Sequence, residues 1–448
     1  MSEDVLKKRK EELFKKFKGK NLIVYILLAV IVWFGYYVHS RNLPLLKDVT
    51  TGEWISVELD SNLFYRYAQY IAEHGSLFAK DMMRNYPLGF DMKMEVPLLP
   101  HFIVYLYKFL HFFNPAVTVE QADVLYPVIC FAVSLVFFFL IVRRLSNYKV
   151  ALVSTAFLTV LPPYLFRTLA GSSDKEALAM MLMFMAFYLF IRGWQEETVK
   201  KSVIFGVLAA VFTGLTSMSW GGVQFAYMII GLFGMLCILF NKFSKKDFYF
   251  YTSWFLVLIF MLQFSRGGGT IISTLNNFLT SVTSSLVALA FFMGLVDFLM
   301  FKLDVLKKKD IIEKKMPLGF ASFLISIILV LILVTIFIDP FYITNSIKHV
   351  IDEVLVPLPN RWVRTVAENH EPYIRDWFDQ MSFWYVMLFI AGSSILVYEA
   401  LKNLKKKHSF SLVGGYTVLL LLFIFSGYSS SSTVFNGTTT IAKVSFIG

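Results

Sequence analysis

Residues 162–194 read PPYLFRTLAGSSDKEALAMMLMFMAFYLFIRGW. The stretch opens on two prolines, passes Arg167 and a run of small residues, meets Asp174 and Glu176, and then carries no charge until Arg192. Its apolar part is hydrophobic all round rather than along one stripe, the mark of a helix surrounded by protein or lipid. The reading is a membrane span over 177–194 with an acid pair at its mouth.

The same pattern recurs on both sides of it. Apolar runs lie near 22–40, 124–142, 150–166, 202–219, 221–240, 249–264, 281–301, 317–338, 382–400 and 409–427, and another begins near Ile441. The segment 97–113 is apolar but short and carries Lys108 and two histidines, which predicts a helix lying on the surface or dipping into it. The chain is 57% hydrophobic and 16% charged, whereas soluble domains are about a quarter charged. That excludes a soluble multidomain protein, because too little polar surface remains to cover the apolar surface. Cys130 and Cys237 both fall in apolar runs, so no disulfide is expected.

A net charge of +11 is compatible with nucleic-acid binding, but the basic residues are distributed by turn. The leader 1–21 is rich in lysine, and alternate turns carry Arg143 and Arg144, then Lys200 and Lys201, Lys245 and Lys246, Lys307–Lys309, and Lys405–Lys407. This alternation places the leader and those turns in the cytoplasm and leaves no need for nucleic acid. Two long segments, 41–123 and 339–381, then face outward, and long polar loops in a compact membrane protein are usually functional. Asp60, Asp174, Glu176 and Glu368 all fall on that outer side.

Each acid has an ordinary reading. Ser173 or Asp174 can cap the helix that Glu176 decorates, Asp60 can cap a helix expected over Asn62–His74, and Glu368 can be a loop glutamate. Taken together they have another. Two like charges at ~4 Å cost about 4 kcal/mol at an effective dielectric near 20. Converging carboxylates must therefore take up protons or bind a cation, and hard ions such as Mg²⁺ and Mn²⁺ prefer oxygen ligands. Beside a phosphate, such an ion acts as a Lewis acid.

Four motifs resemble the catalytic subunit of oligosaccharyltransferase. PPYLFRTLAGSSDKEALAM resembles its second acidic motif, with Arg167, Ala170–Ser172, Asp174 and Glu176. ELDSNLFYRYAQYIAEHG with NYPLGFD is similar to its first outer loop, whose acidic motif ends in Asp60. SMSWGGVQFAYMI resembles its Trp-Gly-Gly stretch, and Thr365–Glu368 (TVAE) its late outer-loop signature. The order is the family's, and the likeness runs over nearly the whole chain.

The resemblance implies an all-α integral membrane protein: a polytopic helical bundle of GT-C type over 22–448, with 41–123 and 339–381 as its external loops. It implies inverting transfer of an oligosaccharide from a dolichyl-phosphate or dolichyl-pyrophosphate carrier to Asn in N-x-Ser/Thr of an acceptor polypeptide. Asp60, Asp174 and Glu176 would hold Mn²⁺ or Mg²⁺ beside the lipid phosphates. Asp60 and Glu368 would hydrogen-bond the acceptor amide, Arg167 would neutralise part of the acidic cluster, and Thr365 and Lys443 would contact substrate. The expected location is the cell membrane with the site on its external face, or the endoplasmic reticulum membrane in a eukaryote.

The family's C-terminal soluble domain carries W-W-D-Y-G, and no W-W-D occurs in these 448 residues, so that sequon-recognition domain is expected to be missing here. Three other readings were weighed. Another GT-C lipid-phosphate-sugar transferase would not be expected to supply TVAE. A transporter would place its ionisable residues near mid-membrane. An inactive homologue or assembly subunit is compatible with a missing C-terminal domain.

Overall fold

The computed structural model of the 448-residue chain describes residues 20–95, 98–265, 269–303, 305, 309–337, 341–342, 344–345, 347–348, 351, 374–402 and 406–425. They fall into two compact units divided between Val330 and Leu331. Among the described residues, eight helices are long and apolar enough to cross a membrane. The leader, Thr365, Glu368, Lys443 and the run from Ile441 lie outside the described residues.

In the first unit, α1 (Lys20–Ser40) leads into the long segment expected to face outward, which holds α2 (Leu59–His74), strands β1 (Lys80–Asp81) and β2 (Phe90–Asp91), and α3 (Leu98–Phe113). Then follow α4 (Val119–Leu145), α5 (Tyr148–Leu158), the short α6 (Pro162–Phe166), α7 (Lys175–Trp194), α8 (Val199–Ser217), α9 (Gln224–Leu239) and α10 (Lys245–Leu262). After these come α11 (Ile271–Thr280), α12 (Val282–Val296) with a wider helical turn through Lys302, α13 (Lys309–Glu313) and α14 (Leu318–Phe337). The second unit contains α15 (Ile374–Leu401) and α16 (Lys406–Phe425), joined by a hydroxyl contact of 2.9 Å between Ser394 and Thr417.

Lipid leaves a spanning backbone no water to bond, so each crossing must satisfy its own N–H and C=O groups as a helix. Helices in that solvent associate through close packing of small residues rather than by burying oily ones. Accordingly α8 buries Ser202, Gly206, Ala209, Ala210, Thr213 and Gly214. Against that stripe α10 sets Trp254, whose indole N–H donates to Thr213 Oγ1 at 3.4 Å. The helix ends follow electrostatics as well. In α4, Thr118 caps with a 3.3 Å bond from Gln121 N–H, Glu120 stands in the first turn, and Arg143 and Arg144 stand in the last.

Two expectations need correction. The run 150–166 is not one helix, because Pro162 and Pro163 remove the donors that would continue α5. The Thr159 carbonyl, which Pro163 cannot serve, lies 3.2 Å from Nε2 of the buried His39 on α1. The helix expected from Asn62 begins at Leu59, so Asp60 sits in its first turn; Glu58 holds the cap position without capping through its side chain. The short apolar segment 97–113 forms α3, a helix of 16 residues that is not among the eight long enough to cross. Leu99, Ile103 and Val104 pack with Phe64, Tyr67, Ala68 and Ile71 of α2 and with Tyr126 of α4.

Around this small core the segment that follows α1 is braced by ion pairs. Arg66 pairs with the buried Asp81, which also accepts from Tyr67 Oη at 2.9 Å and from Met83 N–H at 3.0 Å. Arg84 reaches Glu95 at 2.6 Å and Tyr67 Oη at 3.0 Å.

Candidate acidic site

The site forms where the start of α2 meets the turn 167–174 that leads into α7. That turn is fixed from three sides. Ala170 N–H donates to His39 O at 2.9 Å, and Asn42 Nδ2 donates to Ala170 O at 2.7 Å, both from the end of α1. Gly171 N–H donates to Val124 O of α4 at 2.9 Å, and Val57 N–H donates to Gly171 O at 2.9 Å. Tyr126 Oη donates to the Asp174 carbonyl. Gly171 has φ +81°, and a Cβ there would meet Leu46 at 2.8 Å and Val57 at 3.1 Å, so the position needs glycine for both reasons.

On this support four carboxylates gather with two cations. Arg167 Nη1 lies 3.5 Å from Glu58 Oε2 and 3.9 Å from Asp174 Oδ2. Lys175 Nζ lies 3.7 Å from Asp60 Oδ2 and 3.8 Å from Asp174 Oδ1, and 5.4 Å above the Phe64 ring. Asp174 is also the N-cap of α7, its Oδ1 accepting from Lys175 N–H at 2.7 Å. Glu176, in the first turn of α7, has a buried Oε2 with no partner among the described residues. The capping reading of Asp174 holds for one oxygen, Oδ1, while the other, Oδ2, faces Arg167.

These residues meet the chemical requirements of a divalent cation only in part. The donors are all oxygen, Glu176 holds one oxygen in reserve, and the Lys175 ammonium already occupies a cation's place between Asp60 and Asp174. Among the described residues, however, no three acidic, histidine or cysteine side chains stand close enough to hold a metal together. Asp60 is kept apart from Asp174 by that ammonium, and its own side chain is 58% exposed.

Glu58 and Lys175 were not anticipated. The Glu58-x-Asp60 spacing repeats that of Asp174-x-Glu176 and was a signal available in the sequence. Lys175 gave none, because lysine next to an acid is commonplace until a fold brings a second acid to its other side.

The fold and the site together define a polytopic helical membrane protein with an acidic centre between the segment that follows α1 and the start of α7. Residues 23–337 match the family described as Oligosaccharyl transferase STT3, N-terminal, and the chain belongs to that family. It is 26% identical over 255 residues to the Oryza sativa dolichyl-diphosphooligosaccharide–protein glycosyltransferase subunit STT3B, covering 55% of this chain and 32% of that one. The Archaeoglobus fulgidus oligosaccharyltransferase in its apo form superposes with a TM-score of 0.65 at 16% identity, over 97% of this chain and 50% of that one. The same archaeal protein, AglB, in complex with an inhibitory peptide and a dolichol-phosphate gives 0.64 at 14% identity, over 96% and 50%. At these identities the structural likeness establishes the fold. The chain spans about half the length of the archaeal protein and about a third of the plant one.

Proposed function

We propose that this chain is the membrane part of an oligosaccharyltransferase catalytic subunit. It transfers an oligosaccharide from a dolichyl-phosphate or dolichyl-pyrophosphate carrier to Asn in N-x-Ser/Thr of an acceptor polypeptide, with inversion and with Mn²⁺ or Mg²⁺. The observation that carries the reading is the meeting of Glu58, Asp60 and Asp174, with Glu176 in the adjoining helical turn and, among the described residues, Arg167 and Lys175 to offset them, in a member of the STT3 family. Relatives support the substrates: the archaeal protein has been solved with a dolichol-phosphate, with a peptide containing the NVT sequon, and with zinc and sulfate. The proposed location is a cell membrane with the site on its external face, or the endoplasmic reticulum in a eukaryote.

A bound Mn²⁺ or Mg²⁺ would supply Lewis-acid stabilisation of the leaving phosphate. Asp174, Glu176 and Asp60 would hold it. Asp60 and Glu368 accept hydrogen bonds from the acceptor amide NH₂, which weakens its conjugation and frees the nitrogen to attack the anomeric carbon. Arg167 keeps Glu58 and Asp174 from repelling each other as the site fills. Thr365 contacts the substrate, and Lys443 meets the carrier's phosphate.

The test is glycopeptide formation from lipid-linked glycan by the full-length protein in detergent. Asp60→Ala, Asp174→Ala and Glu368→Ala should each abolish it while membrane insertion persists. EDTA should stop transfer by the wild type, and Mn²⁺ or Mg²⁺ should restore it. Unchanged turnover in the three variants, or turnover indifferent to EDTA, would remove the mechanism.

A further inference from the structure

Beneath the acidic site lies an acid that none of these steps uses. Asp123, in the first turns of α4, is buried, and its Oδ2 accepts from Ser56 Oγ at 2.7 Å. Its Oδ1 meets no partner among the described residues. Its backbone is as unusual as its side chain. Pro127, four residues on, has no N–H to close the helical bond to the Asp123 carbonyl. Ser173 Oγ donates to that carbonyl instead, at 2.7 Å.

Ser56 lies two residues before Glu58 and four before Asp60, and Ser173 immediately precedes Asp174. One residue of α4 thus grips both acidic segments, the first by its side chain and the second by its backbone. The adjoining bonds lie in the same seam: Gly171 N–H to Val124 O and Val57 N–H to Gly171 O, both at 2.9 Å. A buried carboxyl with an orphaned oxygen is a poor way to gain stability, since an apolar residue of similar volume is often as good or better. Its use here calls for a reason other than stability.

We propose that Asp123 is a positioning residue, tying the Asp60 segment and the Asp174 turn to α4 so that both acids present to one cation. The proposal rests on the reading of Asp60 and Asp174 as cation ligands. What it requires of position 123 is a buried acceptor for the Ser56 hydroxyl. A charge there is not required, so asparagine should serve where alanine does not.

The experiment uses the full-length protein in detergent, with Mn²⁺ alone as the probe, followed by EPR titration and by hydrogen exchange of peptides covering 55–60 and 168–174. Asp123→Ala and Ser56→Ala should each weaken Mn²⁺ binding and speed exchange of 55–60 by about five- to tenfold, the scale of one buried hydrogen bond, while 168–174, held by the unchanged carbonyl of residue 123, keeps its wild-type exchange. The double variant should be no worse than either single one, and Asp123→Asn should stay within about twofold of wild type. Asp123→Ala with wild-type binding and exchange would overturn the proposal, as would Asp123→Asn as damaging as alanine. Failure of the wild type to bind Mn²⁺ would sink the metal reading instead. Exchange of 55–60 then decides alone: faster in alanine but not asparagine sustains the positioning role, and unchanged exchange ends it.

Discussion

Replacing Lys175 by methionine removes the ammonium that stands between two acids while keeping most of the side chain's length. Its Nζ is 3.7 Å from Asp60 and 3.8 Å from Asp174. At an effective dielectric of 20 each contact would be worth about 4 kcal/mol. That figure must be cut sharply, because the lysine is 28% exposed and Asp60 58% exposed; solvated pairs of this kind give about 0.2–1 kcal/mol each. Together the two contacts stabilise the metal-free site by about 0.4–2 kcal/mol. An entering cation must displace them. Lys175→Met should therefore tighten Mn²⁺ binding by roughly tenfold, since 1.4 kcal/mol is a factor of ten. The assay is EPR detection of free Mn²⁺ over detergent-solubilised protein at fixed ionic strength. An affinity unchanged or weakened in the variant would refute the idea that the ammonium and the metal compete for one place.

Two further outcomes follow from the supports of the site. Gly171→Ala should lower the melting temperature, because a left-handed conformation costs a residue with a Cβ about 1–3 kcal/mol and the new Cβ would meet Leu46 at 2.8 Å; a melting temperature equal to wild type would contradict it. In the segment that follows α1, burial pushes the Asp81 carboxyl up, but hydrogen bonds from Arg66, Tyr67 and Met83 outweigh it and hold the group below its ordinary value of 3.8. A carboxyl lowered by folding adds stability above its unfolded value and loses it as pH falls through the folded one. Hydrogen exchange corrected for intrinsic rate should thus stay constant across 80–91 above about pH 4 and rise below it, and Asp81→Asn should flatten that rise.

Much of the fold was legible because lipid imposes a simple rule. A long uncharged run must be a helix, and eight of the expected spans stand as helices long and apolar enough to cross. The break at 159–161 was signalled by Pro162 and Pro163 but hidden by the hydropathy around them, since apolarity and helical continuity are separate properties. Asp60, Asp174 and Glu176 could be singled out by position alone, each at the edge of an apolar run. The roles of Glu58, Lys175 and Asp123 were not legible. Each depends on a neighbour far off in sequence, Arg167 for the first, Asp60 for the second and Ser56 for the third, and no local pattern encodes such meetings.

The account stands most directly on whether the acids at the start of α2 and α7 hold a cation against the carrier's phosphate. Phosphorus-31 electron–nuclear double resonance on Mn²⁺ bound to the full-length protein, with dolichyl phosphate added, measures that contact. A resolved phosphorus coupling in the wild type, lost in Asp174→Ala, is the result expected. Bound Mn²⁺ with no phosphorus coupling, or a coupling that survives Asp174→Ala, would contradict it.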